Sequence, residues 1–233
     1  MKYISLLLWG LIISFSLSAQ LPKRTINLSG SINDKYAILM TLTIQGEKVI
    51  GFYYYDKYKS KILLEGEIKD NKVVLNESPG YESEFEIGFM GDLDDKSFSG
   101  IWTNKPQNKT MKFNTLIYAD NTISQNIKAS EIEGRYESNI NSEKYLGSVE
   151  LEHIADNTFA FSISNGTESG CAGYLKGLIE LTDFKEGNYA VENCEEIQFV
   201  FSNQMLNLTE KNCDYHGMNC PFEGSYKKET HNK

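Results

Sequence analysis

Hydrophobic and polar residues alternate at every second position along most of this chain. Ile38, Met40 and Leu42 fall on one side of such a run, and Thr41 and Thr43 fall on the other. This period of two is typical of a strand with one buried face. Helical spacing never holds for more than about a turn. The pattern therefore predicts an all-β protein.

Turn-forming residues separate the alternating runs, as at Asn33-Asp34 and Asp70-Asn71. Roughly eight strands fit into residues 25–118, and similar runs fill residues 131–228. Short connections between consecutive strands favour antiparallel neighbours, because parallel pairs need long crossovers. We therefore predict two antiparallel meander units, each a curled sheet or a roughly eight-stranded barrel.

The predicted units are an N-terminal β domain over residues 20–120 and a C-terminal β domain over residues 131–233. Residues 121–130 are predicted to form a linker. The stretch from Thr122 to Glu133 is the best helical competitor in the chain, but it holds few apolar residues.

The first 19 residues have the layout of a secretory signal peptide. Lys2 precedes an apolar run from Ile4 to Phe15, and small residues follow up to Ala19. The run is short for a membrane span, which needs about 20 residues. A retained anchor is the alternative, and cleavage after Ser18 is an alternative to cleavage after Ala19. We expect an exported chain, periplasmic or secreted, with no membrane span in its mature form.

The charge of the chain is uneven. The 233 residues carry a formal net charge of −9, which excludes a non-specific nucleic-acid binder with a basic face. Residues 20–120 hold 13 basic and 14 acidic residues, whereas residues 121–233 hold 9 and 18. The second unit is therefore strongly acidic, and such a field raises the encounter rate with a cationic partner.

All four cysteines lie in the second unit, and an even number in an exported chain indicates two disulfides. A two-residue turn at Asn203-Gln204 sets a register in which Cys194 lies opposite Cys213, within disulfide reach. Cys171–Cys220 follows by elimination. A β-bulge would slip this register and favour a local Cys213–Cys220 loop instead.

Chemistry-bearing motifs are scarce. No nucleophile elbow and no phosphate-binding glycine loop is present in the sequence. Cys213, His216 and Cys220 have a spacing that could hold zinc, but an oxidising compartment favours disulfides. The turn from Gly91 to Asp95 has alternating carboxylates, as in a calcium site, but lacks a distal Glu. His153 ends an alternating run, where a solvated histidine is expected. We predict no catalytic residue, no metal site and no cofactor.

An aromatic cluster is the most unusual candidate for a binding surface. Phe52 to Tyr55 are consecutive aromatic residues, and Tyr58 follows shortly after. Alternation sends Tyr53 and Tyr55 to the face opposite Phe52 and Tyr54, so half of the cluster can form an exposed patch. A strand edge covered by a neighbouring loop or unit is the alternative.

The run from Cys213 to Tyr226, with Cys194 before it, resembles the C-terminal part of small exported bacterial β-domains that are similar in layout to periplasmic lysozyme inhibitors. This resemblance implies a compact, disulfide-bearing β-barrel and a Ser-Gly-x-x-Tyr loop that enters the lysozyme cleft. Here the run from Ser169 to Tyr174 has one residue more than that motif. The resemblance adds Tyr174 to Tyr53, Tyr55 and Tyr58 as candidate binding residues.

Three functions remain as hypotheses. The first is an exported, non-enzymatic binding protein that recognises a cationic protein through its acidic second unit. The second is a carbohydrate-active enzyme or a sugar-binding protein, with a glycan as partner. The third is a carrier of a small apolar ligand in a barrel lumen.

Overall fold

The computed structural model describes residues 21–77, 86–122 and 127–230. The predicted signal peptide lies outside the described residues. Within them the chain forms sixteen strands and one short helix. In chain order these elements are β1 (Arg24–Ile32), β2 (Tyr36–Gln45), β3 (Lys48–Tyr55), β4 (Ile62–Lys69), β5 (Lys72–Glu77), β6 (Ile87–Leu93), β7 (Ser97–Asn104), β8 (Lys109–Thr122), α1 (Ile127–Ile132), β9 (Gly134–Ser138), β10 (Tyr145–Ala155), β11 (Thr158–Thr167), β12 (Ala172–Glu180), β13 (Glu186–Val191), β14 (Cys194–Ser202), β15 (Met205–Cys213) and β16 (Gly224–Lys228).

The first unit, β1–β8, is a closed barrel in which each strand pairs with the next, and β8 returns to β1. All pairs are antiparallel, which confirms the predicted meander. Alternate residues point into the lumen, as the period of two predicts. Ile38, Met40 and Leu42 are buried there, each at most 1 % exposed.

Glycine permits the tight curvature of this barrel. Gly91 and Gly100 face each other on β6 and β7. A Cβ on Gly100 would lie 2.5 Å from the Cα of Gly91 and 2.2 Å from the carbonyl oxygen of Met90. The neighbouring backbones therefore approach more closely here than any larger residue would allow.

The second unit, β9–β16, is an eight-stranded antiparallel sheet that curls almost into a barrel, with β12 and β13 at its two edges. Tyr189 of β13 lies across the gap between these two edge strands, which we call the seam. Its ring packs on Phe161 with centroids 4.8 Å apart, and its hydroxyl donates to the carbonyl of Lys176 at 3.4 Å. Gly177 leaves room for the ring, since a Cβ there would lie 2.5 Å from it.

The disulfide predictions are confirmed. Cys194 pairs with Cys213 across β14 and β15, and the second disulfide joins Cys171 to Cys220. The strand register is the predicted one, with the turn at Asn203-Gln204.

The two units contact each other through the outer faces of their sheets. Phe52 and Leu63 of the first unit form a buried cluster with Ile154 and Ala160 of the second. The Thr43 hydroxyl donates to the Ile154 carbonyl at 2.7 Å in the same interface. Around it, ion pairs cross between the units: Lys176–Glu65, Lys48–Glu152 and Lys61–Glu180.

Part of the predicted linker is structured. Strand β8 extends to Thr122, and the helix α1 begins at Ile127. Ala129 and Ile132, three residues apart, are buried against the core of the second unit. A helix of six residues with two buried apolar positions is too short to give a periodic signal, so the sequence pattern did not predict it.

Candidate functional site

Four connections meet at one end of the second unit: residues 139–144, 168–171, 192–193 and 214–223. The antiparallel order of the strands places them together, because each connection joins strands at that same end. We call this set of connections the braced end. The second unit contacts the first through residues nearer its other end, such as Ile154 and Thr158.

Both disulfides hold the connection 214–223. Cys194–Cys213 attaches its start to β14, and Cys171–Cys220 attaches its middle to the connection 168–171. Backbone hydrogen bonds reinforce the assembly. The Tyr174 N–H donates to the Tyr215 carbonyl at 3.1 Å, and the Asp214 N–H donates to the Asn193 carbonyl at 2.8 Å. These ties link three of the four connections into one rigid piece.

Buried polar groups support the braced end from below. The Asn165 side-chain amide donates to the carbonyls of Cys220 and Pro221, at 2.6 and 2.8 Å. His216 Nε2 lies 2.9 Å from Glu210 Oε1, and both side chains are about one-tenth exposed. The other Glu210 oxygen accepts the Phe222 N–H at 3.2 Å. The connection 214–223 is thus anchored by its own side chains as well as by the disulfides.

The outer surface of the braced end combines apolar side chains with carboxylates. Met218 is 98 % exposed, and Ile140 and Leu146 are more than 60 % exposed. One lysine, Lys144, and five exposed acidic residues lie in the four connections. The acidic residues are Glu143, Glu168, Glu192, Asp214 and Glu223.

The predicted loop motif and Tyr174 both lie near this end. The Ser169 hydroxyl is 2.9 Å from the Thr167 hydroxyl, and Gly170 has a left-handed φ of 89° with open space around it. Tyr174 is half-buried on β12, three residues after Cys171. The motif therefore forms an exposed, disulfide-tied turn.

The other three tyrosines lie in the first unit, at its end away from Gly46. Tyr58 is 68 % exposed and Tyr55 is half-buried at the barrel opening. The expectation that Tyr53 is part of an exposed patch is wrong, because its side chain points into the lumen and is 1 % exposed. Phe52, on the opposite face, is buried against the second unit. Alternation separated the two faces correctly but could not tell which face the barrel encloses.

His153 is also buried rather than solvated. It is 5 % exposed, and its ring packs on Phe159 with centroids 5.1 Å apart. Nε2 lies 2.9 Å from the Asp156 carbonyl, where its N–H donates in the neutral form. Burial lowers the pKa of this imidazole below its ordinary value. The sequence did not indicate this burial, because the contact between His153 and Phe159 depends on the pairing of β10 with β11.

Two metal hypotheses find no support in the geometry. Cys213 and Cys220 are both in disulfides, so neither offers a thiolate to zinc beside His216. In the turn after β6, Asp94 accepts the backbone N–H groups of Lys96 and Ser97, each at 2.7 Å. These bonds lower its pKa and are those of an ordinary turn. Among the described residues, no group of three or more His, Cys, Asp and Glu side chains is arranged to hold a metal ion.

Comparison of the chain with protein-family models, with curated proteins and with solved structures gives no match. Within the described residues, no helix has the length and apolar character needed to cross a membrane. The two disulfides are compatible with an exported protein.

Proposed function

We propose that this chain is an exported, non-enzymatic binding protein that recognises a cationic protein through the braced end of its second unit. The observation that carries the proposal is the coincidence, at one end of one sheet, of both disulfides, exposed apolar side chains and five carboxylates against one lysine.

Rigidity supports this function. A loop that is already ordered loses little conformational entropy when it binds, so more of the contact energy appears as affinity. The connections of the braced end are held by disulfides, backbone hydrogen bonds and the buried Asn165 amide. A recognition surface benefits from such bracing, whereas the turns at the other end of the sheet carry no disulfide.

The surface chemistry indicates the kind of partner. Three apolar side chains are exposed to solvent here: Met218, Ile140 and Leu146. Such side chains contribute strongly to binding when they enter a partner's pocket. The surrounding carboxylates would steer a basic protein toward them and would reject acidic proteins. The layout thus supports the resemblance to lysozyme inhibitors, and the predicted signal peptide would deliver the chain to the compartment where lysozyme acts.

A binding titration against lysozyme tests the proposal, with protein that lacks residues 1–19. We expect saturable binding at 50 mM NaCl that weakens at least tenfold by 300 mM, because the attraction of exposed charges is screened. Met218→Asp should weaken binding at least tenfold. The matched control is Met90→Asp, since Met90 is also an exposed methionine but lies on the first unit, and it should leave affinity unchanged.

A charge-matched pair of double variants separates steering from general attraction. Glu168→Gln with Glu192→Gln should slow association, whereas Glu47→Gln with Glu67→Gln removes the same charge from exposed sites of the first unit and should not. Equal effects of the two double variants, or the same failure to bind lysozyme and other basic proteins, would contradict the proposal.

A further inference from the structure

The opening of the first barrel forms a second, chemically different cleft. Tyr36, Tyr55, Tyr58, Trp102 and Met111 line it, together with three lysines and one aspartate. Its volume is about 580 Å³, within the usual range of small-ligand sites. We call it the aromatic mouth. Its residues come from the ends of β2, β3, β7 and β8, from the turn before β2 and from the turn after β3, which the barrel topology brings together.

The lumen below the aromatic mouth is filled. Tyr53, Phe89, Phe113 and Phe98 pack edge to face in one column, with successive ring centroids 5.0, 5.0 and 4.7 Å apart. All four rings are at most 2 % exposed. An acyl chain could not pass through this column without displacing it. A ligand must therefore lie across the aromatic mouth, and we do not propose a carrier of apolar molecules in this lumen.

Hydrogen bonds hold the floor of the aromatic mouth in place. The Tyr53 hydroxyl and the Trp102 indole N–H both donate to one oxygen of Glu77, at 2.7 and 2.6 Å. The Tyr55 ring packs edge to face against that of Tyr53, with centroids 5.6 Å apart. The Trp102 ring is thus locked by its nitrogen. It is only 6 % exposed, so it forms the floor of the aromatic mouth and leaves the exposed rings of Tyr36 and Tyr58 to contact a ligand. Exposed tyrosine rings above a fixed floor suit the apolar CH face of a saccharide.

The arrangement of the upper rings also favours a saccharide over a flat aromatic molecule. Tyr36 and Tyr55 lie nearly perpendicular, at 81°, with centroids 6.4 Å apart. No parallel slot exists between these two rings to sandwich a planar ligand. Tyr36 and Tyr58 are both partly exposed and carry hydroxyls, which can bond the alternating hydroxyl groups of a sugar ring.

The lysines around the aromatic mouth favour an anionic saccharide over a neutral one. Lys35, Lys57 and Lys109 line the aromatic mouth, and Asp56 is the acidic residue among its described lining. Lys35 and Lys57 lie over the rings of Tyr36 and Tyr58, with Nζ 5.3 and 5.2 Å from the centroids. Ammonium groups beside aromatic faces can bond an anionic substituent while the sugar ring contacts the tyrosines. We propose that the aromatic mouth binds a saccharide carrying carboxylate or sulfate groups.

Trp102 provides a direct probe of this site. The chain has two tryptophans, Trp9 and Trp102, so protein without residues 1–19 reports only the aromatic mouth by its fluorescence. Three oligosaccharides of similar length are titrated at 100 mM NaCl: an oligogalacturonate, a heparin-derived sulfated oligosaccharide and a neutral chito-oligosaccharide. We expect a saturable change with at least one anionic ligand and affinity at least tenfold weaker for the neutral one.

Variants assign the response to the aromatic mouth. Tyr58→Ala and the double variant Lys57→Ala with Lys109→Ala should each weaken binding at least fivefold. Their controls are Tyr118→Ala, at a tyrosine of β8 that is 61 % exposed against 68 % for Tyr58, and Lys69→Ala with Lys72→Ala at the opposite barrel end. Equal affinity for neutral and anionic ligands, no binding of any, or full binding by Tyr58→Ala would each overturn the proposal. Lysozyme binding by the same variants should not change, so this test is separate from that of the braced end.

Discussion

The two units have the same number of strands but close their sheets by different means. In the first, β1 pairs with β8 along its whole length from Arg24 to Ile32, so no strand edge is left. In the second, β12 and β13 are not joined by a ladder, and Tyr189 spans the seam instead. Both disulfides belong to the second unit. The first sheet is closed by backbone hydrogen bonds and has no disulfide. The second sheet is open, and the Tyr189 side chain and two disulfides hold it together.

The same contrast separates the two candidate sites. The aromatic mouth stands on a closed barrel whose packed lumen provides a rigid floor, and its chemistry is aromatic and basic. The braced end stands on an open sheet, is rigid because of its disulfides, and is acidic with apolar anchors. Each site therefore depends on the closure device of its own unit, and breaking that device should affect one site more than the other.

The largest expected effect comes from removing disulfides. Cross-linking residues 49 apart in sequence stabilises by about 4 kcal/mol, and residues 19 apart by about 3 kcal/mol, if loop-closure entropy dominates. We expect both double variants to be destabilised, and Cys171→Ala/Cys220→Ala to lose more stability than Cys194→Ala/Cys213→Ala. Urea unfolding followed by circular dichroism measures both.

Trp102 fluorescence supplies the internal control for the cysteine variants. It reports the first unit, which holds no cysteine, so its unfolding midpoint should move far less than that of the second unit. An equal shift of both midpoints would mean that the two units unfold as one, and the comparison between them would lose its basis.

The next effect tests the seam. Gly177→Ala places a methyl group against the Tyr189 ring, so the ring must move away from Phe161. Overpacking of this kind costs about 1–3 kcal/mol. Gly166→Ala is the matched control, because the nearest atom to its new Cβ is a carbonyl oxygen at 3.5 Å, an ordinary contact. Thermal unfolding of both variants gives the comparison, and similar stability for the two would show that Tyr189 does not plug the seam.

Most of the fold could be predicted from the sequence, because a period of two is a local property. Alternation set which residues share a face, and the turn at Asn203-Gln204 set the register that brings Cys194 opposite Cys213. Both follow from the geometry of neighbouring strands. The eight strands of the first unit and their antiparallel order were predicted for the same reason.

The two sites were less accessible to sequence reasoning, because they depend on which ends of a barrel meet. Tyr58 was found by its aromatic neighbours, but Tyr36, Trp102 and Met111 come from three other strands and show no motif. The contact between the units was equally hidden. Phe52 and Ile154 are buried by each other, and nothing within either strand distinguishes them from residues that face a unit's own core.

A smaller effect is expected at the contact between the units. The Thr43 hydroxyl bonds both the Thr25 hydroxyl and the Ile154 carbonyl, each at 2.7 Å. Thr43→Val leaves these buried groups without that partner, at a cost of about 1–2 kcal/mol. Thr41→Val is the control, since the Thr41 hydroxyl bonds Asn27 within the first unit. Limited proteolysis should separate the units of the Thr43 variant faster, and equal rates for the two variants would place the coupling elsewhere.

The smallest effect concerns Glu77, and it appears only when the free energy of unfolding is compared at different pH values. Burial raises the pKa of this carboxyl above its ordinary value, although hydrogen bonds from Trp102 and Tyr53 oppose the shift. Because the folded state holds the proton more tightly than the unfolded state, the contribution of Glu77 to stability is complete below the ordinary pKa. It is lost as the pH rises through the raised, folded value.

Glu77→Gln removes this titration while keeping an oxygen that can accept both hydrogen bonds. We expect the variant to gain stability relative to the parent as the pH rises from 4 to 7, with a change within about 1 kcal/mol. Melting curves of both proteins, followed by Trp102 fluorescence, measure the difference and cancel the pH dependence of the other carboxyls. A difference that stays constant with pH, or has the opposite sign, would show that Glu77 is charged and well solvated in the folded barrel. The floor of the aromatic mouth would then be more open to water than its hydrogen bonds indicate.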